Sequence, residues 1–398
     1  MTLLAPTPLR SLIQAHSETL SAQLQQHRAR NFPPSATKSF RRISPGEACR
    51  LLNVSESTLR QTAADASVGE AGPGARRTYS LEDVANLRAI VAQGSRTPDR
   101  YNPRRREGEH LQIVTVMNFK GGSGKTTTSA HLAQYLALRG YRVLAIDLDP
   151  QASLTAMFGV HSIMDLAPNS TIFAAIRYDE DRRSMRSVVR PTYIPGLDLA
   201  PGGLELMEFE HDTPRALASR AGGTLFFDRV AEAIQSVEAD YDVVIVDCPP
   251  QLGYLGISAL VAATGVLVTV HPQMLDVMSM SQFLAMTKDL LSVVAEATAS
   301  GSGEPTYDFL RYLLTRFEPN DGPQNQMGGF LRTLFGEHVL NNPVLKSTAI
   351  SDAGLTNQTI YEVDRRSFTR GSYDRAIASV DAANAEIEAL IRKVWGRA

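Results

Sequence analysis

From Leu111 to the end of the chain, short apolar runs alternate with stretches of helical spacing. The runs Leu111–Asn118, Arg142–Leu148, Leu197–Ala200, Asp242–Asp247, Gly265–Val270 and Phe309–Thr315 read as strands. They are rich in Val, Ile and Leu without a polar residue at every second position, so both faces should be covered. The pattern predicts an α/β domain over 111–398, a mostly parallel sheet with helices on both faces. A last helix should run from Tyr373 to about Trp395.

Upstream the pattern changes. Leu9, Ile13, Leu20 and Leu24, with His16 completing the spacing, form one apolar stripe on an otherwise polar helix within 1–35. Such a stripe should pack on a partner helix of a second copy, making a dimerisation helix, or on its own chain. Residues 38–94 hold the stretch "RISPGEACRLLNVSESTLRQTAA". Ser44, Pro45 and Glu47 make a capping box with proline at the first helical position, and Ser55 is a second N-cap after a short turn. Two helices joined so tightly read as helix-turn-helix, with a small helical docking domain as the alternative.

A glycine-rich loop and a third capped helix from Ser80 follow. That succession resembles the winged DNA-binding domain of MerR-type regulators. On that reading the second helix, with Ser55, Ser57, Thr58 and Arg60, enters a groove while Arg76 and Arg77 meet phosphates. Residues 95–110, polar, prolyl and charged, read as a solvated linker.

Composition narrows the class. The 398 residues suffice for two or three domains with a real core, and 43% apolar with 21% charged residues is ordinary for a globular protein. Two widely separated cysteines, Cys49 and Cys248, exclude a disulfide framework or a CxxC metal site. No charged-then-apolar leader and no long apolar span are evident, so a cytoplasmic protein is expected. The net charge of −2 hides an asymmetry: residues 1–110 carry 16 Lys and Arg against 10 Asp and Glu, the remainder 24 against 32. A basic N-terminal quarter fits a nucleic-acid partner, or simply a solvated basic surface.

The stretch "FKGGSGKTTT" carries the chemistry. It follows one predicted strand and opens a predicted helix. Glycines there let backbone N–H groups of Gly121, Gly122, Ser123 and Gly124 turn toward a phosphate, and the helix N-terminus adds its dipole. Lys125 can reach the terminal phosphates, Thr126 can ligate Mg²⁺, and Thr127 follows at the helix start. The usual pattern has glycine five positions before Gly124; here Phe119 stands there and Lys120 follows it.

Two further strands end in acids. "VLAIDLDPQAS" places Asp147 and Asp149 on one side of the sheet's carboxyl edge, where ligands sit in open α/β sheets. "YDVVIVDCPPQLG" ends in Asp247. Cys248 reads as a packing residue and His271 as local to a strand end. No NKxD element for guanine is present, which favours ATP.

The loop with its second lysine resembles the deviant Walker A motif of the ParA/MinD class of P-loop ATPases. The order of an N-terminal helix, a helix-turn-helix and this ATPase domain resembles the larger plasmid-type ParA proteins. The stretches "VTVHPQMLDVMSMSQFL" and "FGEHVLNNPVLKSTAISDAGL" resemble the RepA group of repABC plasmids within them. The resemblance covers essentially the whole chain; Ser123 is the only departure within the motif.

The resemblance implies a plasmid-partition ATPase with ATP and Mg²⁺ as cofactors. Lys120 would contact the nucleotide of the other subunit in a homodimer, tying hydrolysis to pairing. Asp149 would orient or activate the attacking water with Asp147 supporting it. Asp247 would hold Mg²⁺, and the segment after it would respond to the γ-phosphate. The dimer would bind nucleoid DNA without sequence preference, with Lys346, Arg365, Arg366 and Arg370 as candidate contacts. A ParB-type partner, RepB, would stimulate hydrolysis, and the helix-turn-helix would repress the chain's own operon.

Two alternatives stand beside this. A MinD-like membrane-cycling ATPase would need a basic amphipathic C-terminal helix, and Glu386 and Glu388 flank the apolar side of this one. A transcription regulator with a vestigial nucleotide switch would not need Lys120, Lys125, Thr126, Asp149 and Asp247 all intact. No membrane contact is expected.

Overall fold

The computed structural model of the chain describes residues 8–31, 38–71, 77–161, 165–219, 225–298 and 306–397. Met1–Ser39 and Phe40–Ala398 are separate compact units. Among the described residues the first forms the helix α1 (Leu9–Asn31), on which Leu9, Ile13 and Leu20 of the expected stripe are exposed. The side chain of Leu24 lies outside the described residues.

The second unit begins with α2 (Pro45–Leu52) and α3 (Glu56–Asp65). The Ser44 hydroxyl accepts from the Glu47 N–H. The Glu47 carboxylate, however, pairs with Arg41, leaving the expected capping box half made. Asn53 makes the turn in the left-handed region, φ 50°, and Ser55 caps α3 by accepting from the Thr58 N–H. Strands β1 (Glu70–Ala71) and β2 (Arg77–Thr78) pair antiparallel. Helix α4 (Leu81–Gln93) follows, with both bonds of a Ser80/Asp83 capping box present.

This module is not held off by a solvated linker, which corrects that expectation. The Arg88 guanidinium, 7% exposed, donates to the carbonyls of Leu51, Tyr101, Leu138 and Arg139. The last two end the helix α5 (Lys125–Arg139). Arg105 pairs with Glu238, its backbone N–H donates to Asp242, and Glu109 pairs with Arg397. Ile43, Leu52, Leu59 and Leu87 share one apolar core with Leu136 of α5 and Ile387 of the last helix. Long-range partners, rather than local composition, order residues 95–110.

The sheet has seven strands: β3 (Gln112–Met117), β4 (Val143–Asp147), β5 (Arg190–Pro191), β6 (Leu197–Ala200), β7 (Val243–Asp247), β8 (Gly265–Val270) and β9 (Phe309–Leu314). Their order is β5-β6-β4-β7-β3-β8-β9, parallel except for β5. The six predicted strands are all present, displaced by no more than one residue at an end; β5 is the unpredicted seventh.

Period-two alternation divides the two cores. Val143, Ala145, Val243 and Ile245 point into the core shared with α5. Leu144, Ile146, Val244 and Val246 point into the opposite one. The last helix, Arg370–Val394, buries Ile387 and Ile391. Its Glu388 is buried as well, accepting from the hydroxyls of Tyr135 and Tyr141. Its apolar side is thus committed to the domain. Among the described residues no helix is long and apolar enough to cross a membrane.

Candidate nucleotide site

Parity along β4 and β7 puts Asp147 and Asp247 on the α5 side, where they are Cα partners across the sheet and both fully buried. Burial pushes both carboxyls above the usual carboxylate range, and a neighbouring acid adds to it, Asp149 at Asp147 and Asp147 at Asp247. Asp147 spends its oxygens on structure. Oδ2 accepts from the Thr155 N–H at 2.8 Å and its hydroxyl at 2.7 Å, and Oδ1 accepts from the Asp149 N–H at 3.2 Å. These bonds fold the segment after β4 and aim Asp149.

Asp247 is different. Ser129 of α5 donates to Oδ1 at 2.9 Å, while Oδ2 is buried with no hydrogen bond. An orphaned, buried carboxylate oxygen beside the Thr126 hydroxyl fits a hard cation and its water. Asp149 lies 9% exposed, accepts from the Gln151 N–H at 2.9 Å and feels the charge of Lys125; burial raises its carboxyl too.

The loop between β3 and α5 has the backbone a phosphate cradle needs. Gly122 and Gly124 take φ values of 77° and 88°, a region L side chains rarely adopt. A Cβ on Gly121 or Gly122 would meet nothing within 4 Å, so the approach to the loop is open. Lys125 is buried, and its Nζ donates to the Lys120 carbonyl at 3.1 Å, folded back over the loop. Burial draws its pKa down, against the pull of Asp247. Thr126 and Thr127 follow, half-buried, in the first turn of α5.

Residues that sequence reasoning missed hold this loop in place. Thr315, just after β9, donates to the Ser123 carbonyl at 2.7 Å. Ser123 and Thr269 share a hydroxyl bond of 2.9 Å. Asn118 accepts from the Lys120 N–H and donates to the Thr269 carbonyl. Asn118, a polar residue ending an apolar strand, and Ser129, one turn after Lys125, carried a local signal. Thr315 and Thr269 lie too far along the chain to carry one.

Lys120 leaves the loop in the other direction. Its Nζ pairs with Oδ1 of Asp276, the third residue of the helix Met274–Thr298. Oδ2 of that carboxylate takes His271 Nδ1 at 3.2 Å. His271 is thus local to its strand end, as the sequence suggested. Cys248 is buried, and burial raises its thiol, consistent with packing.

The DNA candidates separate. Ser55, Ser57 and Thr58 are exposed, their hydroxyls joined at the start of α3, with Arg60 exposed one turn on. Arg77 is exposed on β2, and Arg76 lies outside the described residues. Lys346 is paired with Glu318 at 2.8 Å and Arg365 with Asp374 at 2.5 Å. Arg366 and Arg370 are exposed.

A family model described as an AAA domain matches residues 111–297. A replication protein A of Rhizobium rhizogenes is 58% identical over 392 residues, 98% of this chain and 96% of its own. The chain belongs to the ParA family of partition ATPases. Among solved structures, one titled a partition protein matches 97% of this chain and 99% of its own with a TM-score of 0.66 at 16% identity. That likeness is one of fold and covers nearly the whole chain. A cobyrinic acid a,c-diamide synthase of Mycobacterium smegmatis, solved with bound ADP and magnesium, matches at 25% identity and TM-score 0.54. It covers 72% of this chain and 96% of its own.

Proposed function

We propose that this ParA-family chain binds ATP and Mg²⁺, pairs with a second copy around the nucleotide, and in that state holds DNA without sequence preference. Gly121 to Thr127 would receive the phosphates, with Lys125 on the terminal ones. Thr126 and Asp247 Oδ2 would hold the magnesium, which supplies charge neutralisation at the phosphates when bound. Asp149, aimed by Asp147, would orient the attacking water. A ParB-type partner, RepB, would stimulate hydrolysis, and nucleoid association would follow from the DNA-bound state in the cytoplasm. We also assign residues 38–94 to a winged helix-turn-helix that reads the operator of the chain's own operon, with Ser55, Ser57, Thr58, Arg60, Arg76 and Arg77 at the DNA. In α1, Leu9, Ile13 and Leu20 would serve self-association.

One observation carries the reading: the two lysines of one loop point apart. Lys125 folds over its own loop, while Lys120 points away at the surface. A cation so placed suits a second subunit's phosphates better than its own. The test compares DNA binding with ATP, ADP and no nucleotide at two salt concentrations, beside sedimentation of wild type and Lys120→Gln. ATP-specific pairing and salt-sensitive DNA retention, both lost in Lys120→Gln, are expected. DNA binding indifferent to nucleotide would leave the regulator reading standing.

A further inference from the structure

We propose that Asp276 is a positioning residue for Lys120: it holds the ammonium in the nucleotide-free subunit, and when Lys120 leaves for phosphate, His271 takes up a proton in its place. The proposal rests on the reading of Lys120 above for where the lysine goes, and on geometry alone for where it starts.

The Asp276 side chain is 5% exposed and has two partners, Lys120 on Oδ1 and His271 on Oδ2. A carboxylate this buried is strongly destabilised when stripped of its only full cation. Any movement of Lys120 toward a phosphate must therefore be matched by another positive charge. The imidazole is already in place, with Nδ1 at 3.2 Å and its side chain 15% exposed, open enough to take a proton from solvent. Three charged groups face it: Asp276 from the helix Met274–Thr298, Arg316 after β9 and Lys120 from the phosphate loop. Burial draws the imidazole down first. Asp276 raises it, and Arg316 and Lys120 lower it further. Withdrawing Lys120 removes one repulsion and leaves the carboxylate to His271 alone, so both changes favour the imidazolium.

The arrangement makes Lys120 release a proton-linked step. In the resting subunit the lysine is stored against its own chain, and pairing begins by breaking a contact within that chain. Lowering the pH should therefore assist the ATP-driven step.

The test is a pH titration of the His271 ring by NMR in the full chain, assigned with His271→Gln. Without nucleotide, Lys120→Gln should raise the His271 midpoint by about one unit, the scale of a charge removed at close range. Asp276→Asn should lower it. Adding a non-hydrolysable ATP analogue and Mg²⁺ to wild type should raise it as Lys120→Gln does. An unmoved midpoint in Lys120→Gln overturns the resting contact. An unmoved midpoint on adding analogue, where nucleotide fluorescence shows binding, overturns the release. Absence of nucleotide binding would instead sink the proposed function and leave the first comparison readable. In sedimentation with analogue, Asp276→Asn should pair at lower protein concentration. It should add nothing in a Lys120→Gln background, a coupling that a merely structural role of Asp276 would not show.

Discussion

Asp147 and Asp247 stand opposite each other at the ends of β4 and β7, both fully buried, yet only Asp247 keeps an oxygen without a hydrogen bond. Two acids of like position thus have different work. Asp147 shapes the chain after β4, and Asp247 keeps one buried oxygen without a hydrogen bond.

A buried carboxyl in that position carries a stability cost. Burial and the neighbouring Asp147 raise the Asp247 carboxyl above its unfolded value. A carboxyl raised on folding is neutral at low pH without penalty, and opposes folding once pH rises above the ordinary carboxylate range of about 4. Asp247→Asn should therefore stabilise the nucleotide-free chain at pH 8 by on the order of 1 kcal/mol. The gain should shrink toward pH 5, and the stabilisation conferred by Mg-ATP should be lost. Thermal melts at both pH values, with and without Mg-ATP, check this; a lower melting point at pH 8 would contradict it.

Gly202 sits against the same acids. A Cβ there would lie 2.7 Å from the Asp147 carbonyl oxygen and 3.0 Å from that of Asp149, both backbone atoms with little room to yield. The Gly202 N–H also donates to the Thr155 hydroxyl that holds Asp147. Gly202→Ala should push Asp149 out of line while leaving the phosphate loop alone. Turnover should fall about a hundredfold, the cost of an ångström-scale misplacement, with nucleotide affinity nearly unchanged. Equal losses in binding and turnover would mean the displacement reaches the loop.

Neither Gly202 nor Thr155 is marked by local pattern, and this shows where sequence reading stops. The strands were legible because each is a continuous apolar run, and the acids because alternation fixes which side of a strand end they occupy. Strand β5 was not, since it is two residues long, contains Pro191 and is defined only by its antiparallel pairing to β6. Residues 95–110 have the composition of a linker. Their order comes from Glu238, Asp242 and Arg397, more than 130 positions away. The Thr315 and Thr269 supports of the phosphate loop, and the Asp276 partner of Lys120, arise the same way, from the strand order.

Arg88 tests how firmly the N-terminal module is attached. Its guanidinium serves four carbonyls from three segments, including the end of the helix that begins at Lys125. Burial draws its pKa to about 10, with Arg139 adding to the effect. Arg88→Leu would leave those buried carbonyls unpaired, a loss of about 3 kcal/mol or more. Arg88→Lys should recover only part, because an ammonium lacks the planar fork. Denaturant unfolding measures the loss, and limited proteolysis should find new cleavage within 95–110. Gly140→Ala should weaken the same contact, since its Cβ would come within 2.9 Å of Arg88 Cδ.

The basic residues proposed for nucleoid DNA differ in what they must give up. Lys346 would have to leave Glu318 and Arg365 would have to leave Asp374, each exchanging an existing ion pair for a phosphate. Arg366 and Arg370 are exposed and, among the described residues, hold no ion pair, so a phosphate contact adds to what they have. Each true phosphate contact contributes about 0.9 to the slope of log affinity against log salt on duplex DNA. Arg366→Ala and Arg370→Ala should each lower that slope by about one in the ATP state, on any sequence. Lys346→Ala should change it much less, and should instead free Glu318 to repel the duplex, weakening binding without the loss of a released counterion. Fluorescence anisotropy across a salt series on two unrelated duplexes separates these outcomes. Slopes unchanged in both Arg366→Ala and Arg370→Ala would move the nonspecific DNA surface off this end of the last helix.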